Sequence, residues 1–158
     1  MGVVHCRLLA KNIEAFWRQR GTPPRIREKG EMRVRVAFFE MEIYEVSMSF
    51  VERIYNITRS FPEEEKYCLV SQMRRAAISV PSNIAEGNGR GHSKEYLHFL
   101  YNARGSLMEL RTQIDISKRL VYLKEADYSS LIESYETLRK MLMNLISSIR
   151  RKSISKST

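Results

Sequence analysis

Apolar side chains recur every three or four residues between positions 38 and 151, a spacing typical of α-helices with one buried face. The pattern is interrupted three times, which divides the region into four segments. We predict helices over residues 38–60, 62–86, 94–122 and 124–151, with turns near Phe61, Gly89 and Leu123. Because the segments are long and their connections short, we expect an all-α fold, an antiparallel up-down four-helix bundle.

Each predicted helix has one apolar stripe that we expect to form the core. The four stripes, in chain order, are Met41, Tyr44, Met48, Val51, Ile54, Tyr55 and Thr58; Tyr67, Val70, Met73, Ala77, Val80 and Ile84; Tyr96, Leu100, Ala103, Leu107, Leu110, Ile114 and Val121; and Tyr128, Leu131, Tyr135, Leu138, Leu142, Leu145 and Ile149.

The second predicted helix contains a proline. Pro81 removes one helical hydrogen bond and clashes one turn back, at a cost of about 3 kcal/mol. Ile84 nevertheless falls where the next apolar turn is expected, so we predict that the helix continues with a kink. Asn83 and Glu86 lie one turn apart beside Pro81, and we expect them to satisfy the kinked backbone or a neighbouring helix.

A glycine-rich run follows this helix. Gly87, Gly89 and Gly91 are expected to end it, because glycine adopts the left-handed conformation without steric cost. Backbone N–H groups at the start of the next helix, together with Arg90 and Lys94, could bind a phosphate of a larger polyanion. A tight turn between two helices is the simpler interpretation, since the run lacks the Lys-Ser/Thr of a nucleotide-binding loop.

The stretch RRAAISVPSNIAEG, residues 74–87, and the Gly-Arg-Gly that follows at 89–91 carry a family resemblance. They resemble the signature of the bacterial four-helix-bundle family of 23S rRNA intervening-sequence proteins, to which the accessory variability proteins of diversity-generating retroelements look related. The resemblance covers residues 38–150. It implies a four-helix bundle that assembles into a pentameric ring and, in the retroelement branch, binds nucleic acid and a reverse transcriptase.

The basic residues are concentrated at the two ends of the chain. Residues 1–35 carry a formal charge of +6 and residues 148–158 carry +4, which leaves −1 for residues 36–147 because the whole chain carries +9. We expect residues 1–37 to form a flexible extension and residues 152–158 a frayed tail. The extension is either sequence upstream of a true start at Met32 or Met41, or a basic arm on nucleic acid; the first is favoured because the resemblance begins near residue 38.

The third predicted helix has a second apolar stripe away from its main seam. Leu97, Tyr101 and Met108 form it. A helix with two apolar stripes usually buries both, whereas a four-helix bundle needs one. The second stripe either widens the core contact or faces another subunit, and the family resemblance favours a subunit interface.

The middle of the chain is more basic than the rest of the predicted bundle, with +4 over residues 71–120. Arg104, Arg111 and Lys118 recur every seven residues, so they form one line along the third helix. The cations that we expect to contact phosphates are Arg74, Arg75, Arg90, Lys94, Arg104, Arg111 and Lys118. Salt bridges to acidic residues on neighbouring helices are the alternative interpretation.

The sequence offers little chemistry. His92 and His98 are six residues apart, no set of metal ligands is complete, and no nucleophile motif or cofactor fingerprint occurs. Glu86 has no partner for catalysis. Two cysteines, Cys6 and Cys68, give no disulfide framework, and no apolar run approaches the length of a membrane span, so we expect a cytoplasmic protein. Cys68 is expected at a core or boundary position.

Together these features predict a non-enzymatic, ring-forming bundle that binds RNA or DNA through phosphate contacts or scaffolds a nucleic-acid enzyme such as a reverse transcriptase. The alternative is an adaptor that binds proteins and has no direct role with nucleic acid.

Overall fold

The computed structural model of the chain describes residues 42–90 and 92–155. Its four α-helices are α1, Glu42–Ile57; α2, Leu69–Gly89; α3, Ser93–Arg119; and α4, Glu125–Ser155. Two short 3-10 helices, Thr58–Ser60 and Glu63–Glu65, lie between α1 and α2, and these described ranges contain no strand. The predicted all-α fold is confirmed.

The helix bounds differ from the predicted ones at several ends. α2 begins at Leu69, well after the predicted start, and α4 continues past Arg151 to Ser155. The extension over residues 1–37, the predicted start of the first helix at 38–41 and the final residues 156–158 lie outside the described residues, as does Gly91.

Each helix packs on its neighbours in the chain, and α1 also packs on α4, which closes the bundle. The connections after α1 and after α3 meet at one end. There the ring of Phe61 lies 5.5 Å from that of Tyr122, and the Tyr122 hydroxyl donates to Glu65 at 3.2 Å. The predicted antiparallel order would bring alternate connections together in this way.

The main seams of α3 and α4 lie in the core as predicted. Leu100, Leu107 and Leu138 are among the side chains with almost no exposed surface. Val121, which the pattern assigned to the α3 seam, is instead exposed beyond the end of the helix. Tyr96, Tyr128, Leu145 and Ile149 are half-buried and pack against the core.

The predicted stripe of α1 is wrong by one position. The buried residues of α1 are Ile43, Ser47, Phe50 and Ile54, whereas Met48 is exposed. Ser47 can be buried because its hydroxyl donates to the Tyr44 carbonyl at 2.7 Å. The other described residues of the predicted stripe are half-buried, except for the buried Ile54 and Thr58.

The predicted helix start at Pro62 is also wrong. A turn of 3-10 helix occupies Glu63–Glu65, and Tyr67 and Cys68 are exposed, Tyr67 at 83%. The Glu65 carboxylate accepts a hydrogen bond from the Leu69 N–H at 3.2 Å. That bond satisfies one of the free donors at the start of α2, which explains where the helix begins.

α2 runs through Pro81 without ending. Asn83 Nδ2 donates to the Ser79 carbonyl at 2.8 Å, and Ser82 Oγ donates to the Ile78 carbonyl at 2.9 Å. Side chains thus supply donors to backbone carbonyls around the proline. Glu86 does not serve this purpose, since its carboxylate pairs with Arg90 at 2.5 Å.

Gly87 lies inside α2 and is buried, so it does not end the helix as predicted. A Cβ placed there would lie 2.7 Å from the Tyr96 ring and 2.8 Å from the Phe99 Cβ. The glycine therefore permits α2 and α3 to approach closely. Gly89, the last residue of α2, has open space around it.

α3 ends in a left-handed residue. Val121 has φ of 62°, the N–H of Tyr122 donates to the Ser117 carbonyl, and the N–H of Val121 donates to that of Lys118. These are the two bonds of a Schellman motif, whose left-handed position usually holds glycine. A β-branched residue is strained in this conformation, and its side chain is 85% exposed.

We predict that Val121→Gly stabilises the protein by about 0.5–1 kcal/mol, because the left-handed cost of about 1–2 kcal/mol exceeds the added chain entropy of glycine. Thermal unfolding should show a rise in Tm of about 2–4 °C. Val121→Ala removes the same exposed side chain but keeps the strain, so it should gain clearly less. Equal gains would show that the conformation is not the cause.

Gly87→Ala should destabilise the protein by about 1–3 kcal/mol, because the new methyl group overlaps Tyr96 and Phe99. Urea unfolding measures this directly. Gly89→Ala is the matched control in the same helix, where no atom lies within 4 Å of the new group, and it should leave stability unchanged or slightly raised. A neutral Gly87→Ala would contradict the close packing of α2 on α3.

Candidate nucleic-acid and subunit interfaces

Four of the seven cations predicted to contact phosphates are paired with carboxylates. Arg75 pairs with Glu109 at 3.1 Å, which joins α2 to α3. The other three pairs are Arg90 with Glu86 at 2.5 Å, Lys118 with Glu125 at 2.6 Å, and Arg111 with Asp115. Each carboxylate offsets the positive charge that a phosphate would otherwise meet.

Arg111 and Lys118 take part in the contact between α3 and α4. Arg111 lies over the ring of Tyr135 at 5.8 Å, and Lys118 lies over that of Tyr128 at 5.6 Å. The Tyr128 hydroxyl donates to Asp115 at 3.0 Å. Two members of the predicted line are therefore involved in holding helices together.

The Asp115 carboxylate remains charged through these contacts. Burial alone would raise its pKa, but hydrogen bonds from Arg111 and Tyr128 outweigh burial and hold the pKa below its usual range. The hydrogen bond that Arg111 donates to Asp115 also raises the pKa of Arg111.

Arg74 contacts a hydroxyl group and an aromatic ring of its own bundle, and neither partner carries a negative charge. Its Nε donates to the Thr58 hydroxyl at 2.9 Å, and its guanidinium lies over the Tyr55 ring at 4.8 Å. These contacts join α2 to the end of α1. The charge of Arg74 is thus not neutralised, although its side chain is half-buried.

A shallow depression lies at the start of α3. Its lining residues are Arg90, Lys94, Glu95, His98 and Phe99. The Arg90 guanidinium lies over the Phe99 ring at 5.2 Å, and its hydrogen bond to Glu86 raises the pKa of this arginine. Lys94 is exposed and forms no ion pair with any described residue.

The first turn of α3 adds donors to this depression. The residue before the helix is His92, in extended conformation, and no side chain caps the helix there. Ser93 is the first helical residue. Uncapped N–H groups and the positive end of the helix dipole favour an anion.

The second stripe of α3 is divided between core and surface. Leu97 is half-buried and packs against the core, whereas Tyr101 and Met108 are 39% and 53% exposed. The Tyr135 hydroxyl donates to the Met108 sulfur at 3.2 Å. Arg104, the third member of the predicted line, lies over the Tyr101 ring at 5.0 Å and makes no ion pair with a described residue.

Two further residues belong to the same outward side of α3. Ile116, two turns beyond Met108, is 41% exposed, and Gly105 has no atom within 4 Å of where a Cβ would be. We call this outward side, formed by Tyr101, Arg104, Gly105, Met108, Ile116 and Arg119, the α3 outer face. The sequence pattern predicted Tyr101 and Met108 as members of a second stripe. It missed Ile116, because an isoleucine at that position could also lie at the edge of the core.

Two buried polar atoms lack a partner in the described part of the chain. They are the Tyr96 hydroxyl and Gln113 Oε1. Burial raises the pKa of Tyr96 to about 12, so its phenol is neutral at physiological pH.

No three His, Cys, Asp or Glu side chains in the described ranges converge as a metal site would require. None of the described helices combines the length and the apolar character that crossing a bilayer requires.

The fold places the chain in the class of four-helix bundles, with a depression lined by Arg90, Lys94 and Glu95 at the start of α3 and an exposed apolar side on that helix. The model of the 23S rRNA-intervening sequence protein family matches residues 40–144. The chain therefore belongs to this family.

A solved structure shows the same fold. It is a protein with unknown function from the S23 ribosomal protein family of Bacteroides thetaiotaomicron. The two chains are 21% identical with a TM-score of 0.62, and the match covers 66% of this chain and 97% of the other. A comparison with curated proteins gives no match.

Proposed function

We propose that this protein is a non-enzymatic oligomeric bundle that assembles through the α3 outer face and binds nucleic acid through phosphate contacts. The observation that carries the proposal is the α3 outer face itself, where Tyr101, Met108 and Ile116 are exposed although the core of the bundle is complete without them. A ring of five copies is the assembly that the sequence resemblance implies.

The argument for assembly is the energy of apolar burial. Fully burying an exposed side chain of this size stabilises by roughly 1.5–3 kcal/mol, and covering the 39–53% of these side chains that is still exposed supplies roughly half of that each. Exposed apolar clusters on a helix mark interaction surfaces more often than single exposed residues do. The α3 outer face holds three such residues at helical spacing, with an uncrowded glycine among them.

The argument for nucleic acid is the depression at the start of α3. Lys94 supplies a cation that no described carboxylate pairs. Arg90 lies beside it but is paired with Glu86, and Glu95 lines the same depression. The uncapped N–H groups and the positive end of the dipole at the start of α3 add to the attraction of an anion. Such a site neutralises phosphate charge and reads no bases. Membership in a family named for an rRNA intervening sequence supports RNA as the polymer, and a reverse transcriptase is a candidate protein partner.

One observation favours the alternative function of a protein adaptor. Arg75, Arg90, Arg111 and Lys118 all have carboxylate partners, so the described bundle offers fewer free cations than the sequence predicted. An adaptor would use the same α3 outer face to bind a protein, but the depression at the start of α3 would bind no phosphate group.

Tyr101→Glu with Met108→Glu should reduce the oligomer to monomers, because two carboxylates would be desolvated in the subunit contact. Light scattering after gel filtration measures the mass. These two residues are better targets than Leu97, whose packing against the core would confuse assembly with folding.

Met143→Glu is the matched control, since Met143 is an exposed methionine on α4. It should leave the mass unchanged. A monomeric wild-type chain, or a double variant that keeps the wild-type mass, would contradict assembly through the α3 outer face.

Arg90→Gln with Lys94→Gln should weaken RNA and DNA about equally. Removing one phosphate contact flattens the slope of log affinity against log salt by roughly 0.7–0.9. Fluorescence anisotropy of labelled RNA and DNA over a salt series measures both quantities. The full chain can be used, because the basic ends contribute equally to every variant.

Arg111→Gln with Lys118→Gln is the control of equal charge change. Since both cations belong to the α3–α4 contact, this variant should lose thermal stability with little change in slope. If Arg90→Gln with Lys94→Gln leaves affinity and slope unchanged, the depression is not a phosphate site and the adaptor function is favoured.

A further inference from the structure

We infer that the α3 outer face of one copy is covered by the outer side of α1 from a second copy. The inference rests on the proposed oligomer and names the two surfaces that meet. It follows from the charges, the exposed apolar residues and the spacing on the two helices.

The α3 outer face is cationic because its acids are already occupied. Arg104 and Arg119 carry no ion pair with any described residue. The acidic side chains of α3 nearest to them are engaged elsewhere: Asp115 holds Arg111 and Tyr128, and Glu109 holds Arg75 and Gln113. The apolar residues of this side are therefore accompanied by two arginines without an ion pair, although the Asp115 carboxylate also interacts with the charge of Arg119.

The outer side of α1 carries acidic residues around an exposed methionine, although Arg59, just beyond α1, lines the same shallow depression as Glu52. Glu45, Met48 and Glu52 lie at positions i, i+3 and i+7, turned away from the buried stripe that contains Ile43 and Ile54. The two glutamates have no ion pair with a described residue, and Met48 is 37% exposed. We call these three residues the α1 outer face.

The two faces have inverse patterns of equal length. Glu45 and Glu52 are seven residues apart, about 10.5 Å along a helix, with the apolar Met48 between them. Tyr101 and Met108 are also seven residues apart, with the cationic Arg104 between them. Packing one face on the other brings an arginine between two glutamates and a methionine between two apolar side chains.

Gly105 supplies the room for this contact. It follows Arg104, and the space where its side chain would be is empty. A glycine inside a helix lowers helix stability by about 1 kcal/mol relative to alanine, and no contact within the described chain accounts for it. A protruding Met48 from the neighbouring copy fits an opening of this kind.

Because α1 and α3 present different surfaces, the contact joins unlike faces of identical copies. Such heterologous contacts close into rings when the rotation between copies permits, and no copy then has an uncovered face. The inference therefore agrees with a ring but gives no number of copies.

Charge reversal tests the pairing. Arg104→Glu alone and Glu45→Arg with Glu52→Arg should each weaken self-association by at least about tenfold, because like charges then face each other across the interface. The triple variant that combines these changes restores opposite charges and should recover the wild-type mass. Analytical ultracentrifugation of the full chain over a concentration series measures both effects.

Lys140→Glu is the control, since Lys140 is an exposed cation on α4 that undergoes the same change of charge. It should leave association unchanged, and circular dichroism melts should show that every variant is folded. If the wild type is oligomeric but the reversals keep its mass, or the triple variant stays dissociated, the pairing of α1 with α3 is wrong while the oligomer stands. A monomeric wild type would overturn both.

Discussion

The close approach of α2 to α3 at Gly87 is the contact on which the rest of the arrangement depends. The Tyr96 ring and the Phe99 Cβ occupy the space that any side chain at this position would need. The start of α3 is thereby held against the end of α2, and the chain reverses within a few residues. The same reversal places Arg90 over the Phe99 ring and beside Lys94. The depression at the start of α3 is thus a consequence of helix packing and needs no separate scaffold.

The number and class of elements could be predicted from the sequence because the core residues of α3 and α4 recur at helical spacing along one side of each helix. In α1, two stripes lie one residue apart, and the buried one contains Ser47. A hydrophobicity pattern assigns serine to the surface of the bundle. It does not show that the Ser47 hydroxyl donates a hydrogen bond to the Tyr44 carbonyl, which allows this side chain to be buried. Tyrosines add to the ambiguity, because a ring with a polar end is stable at the edge of a core. The stripe of α1 was therefore misplaced for a local chemical reason.

Predicting the candidate site was harder because it depends on which charges the fold uses for itself. The pairs Glu86–Arg90 and Arg111–Asp115 are four residues apart within a helix, so their spacing could have revealed them. The pairs Arg75–Glu109 and Lys118–Glu125 join different helices and depend on how the bundle is packed. Glycine was a second source of error: Gly87 carries the same local signal as a helix end, but its role is set by the helix across from it.

α3 has three sides that make different contacts. One side fills the core, and the side towards α4 places cations against rings and carboxylates. The remaining side is the α3 outer face, and no contact in the described bundle explains its mid-helix glycine, its three exposed apolar side chains or its Arg104, which has no ion pair with a described residue. Each of these features lowers the stability or the solubility of an isolated bundle. They become favourable together once another surface covers them, and α1 carries the one set of unpaired acids around an exposed methionine with matching spacing that we find in the described helices. The same helix can then serve two purposes, with its middle and end used for assembly and its first turn left open for an anion.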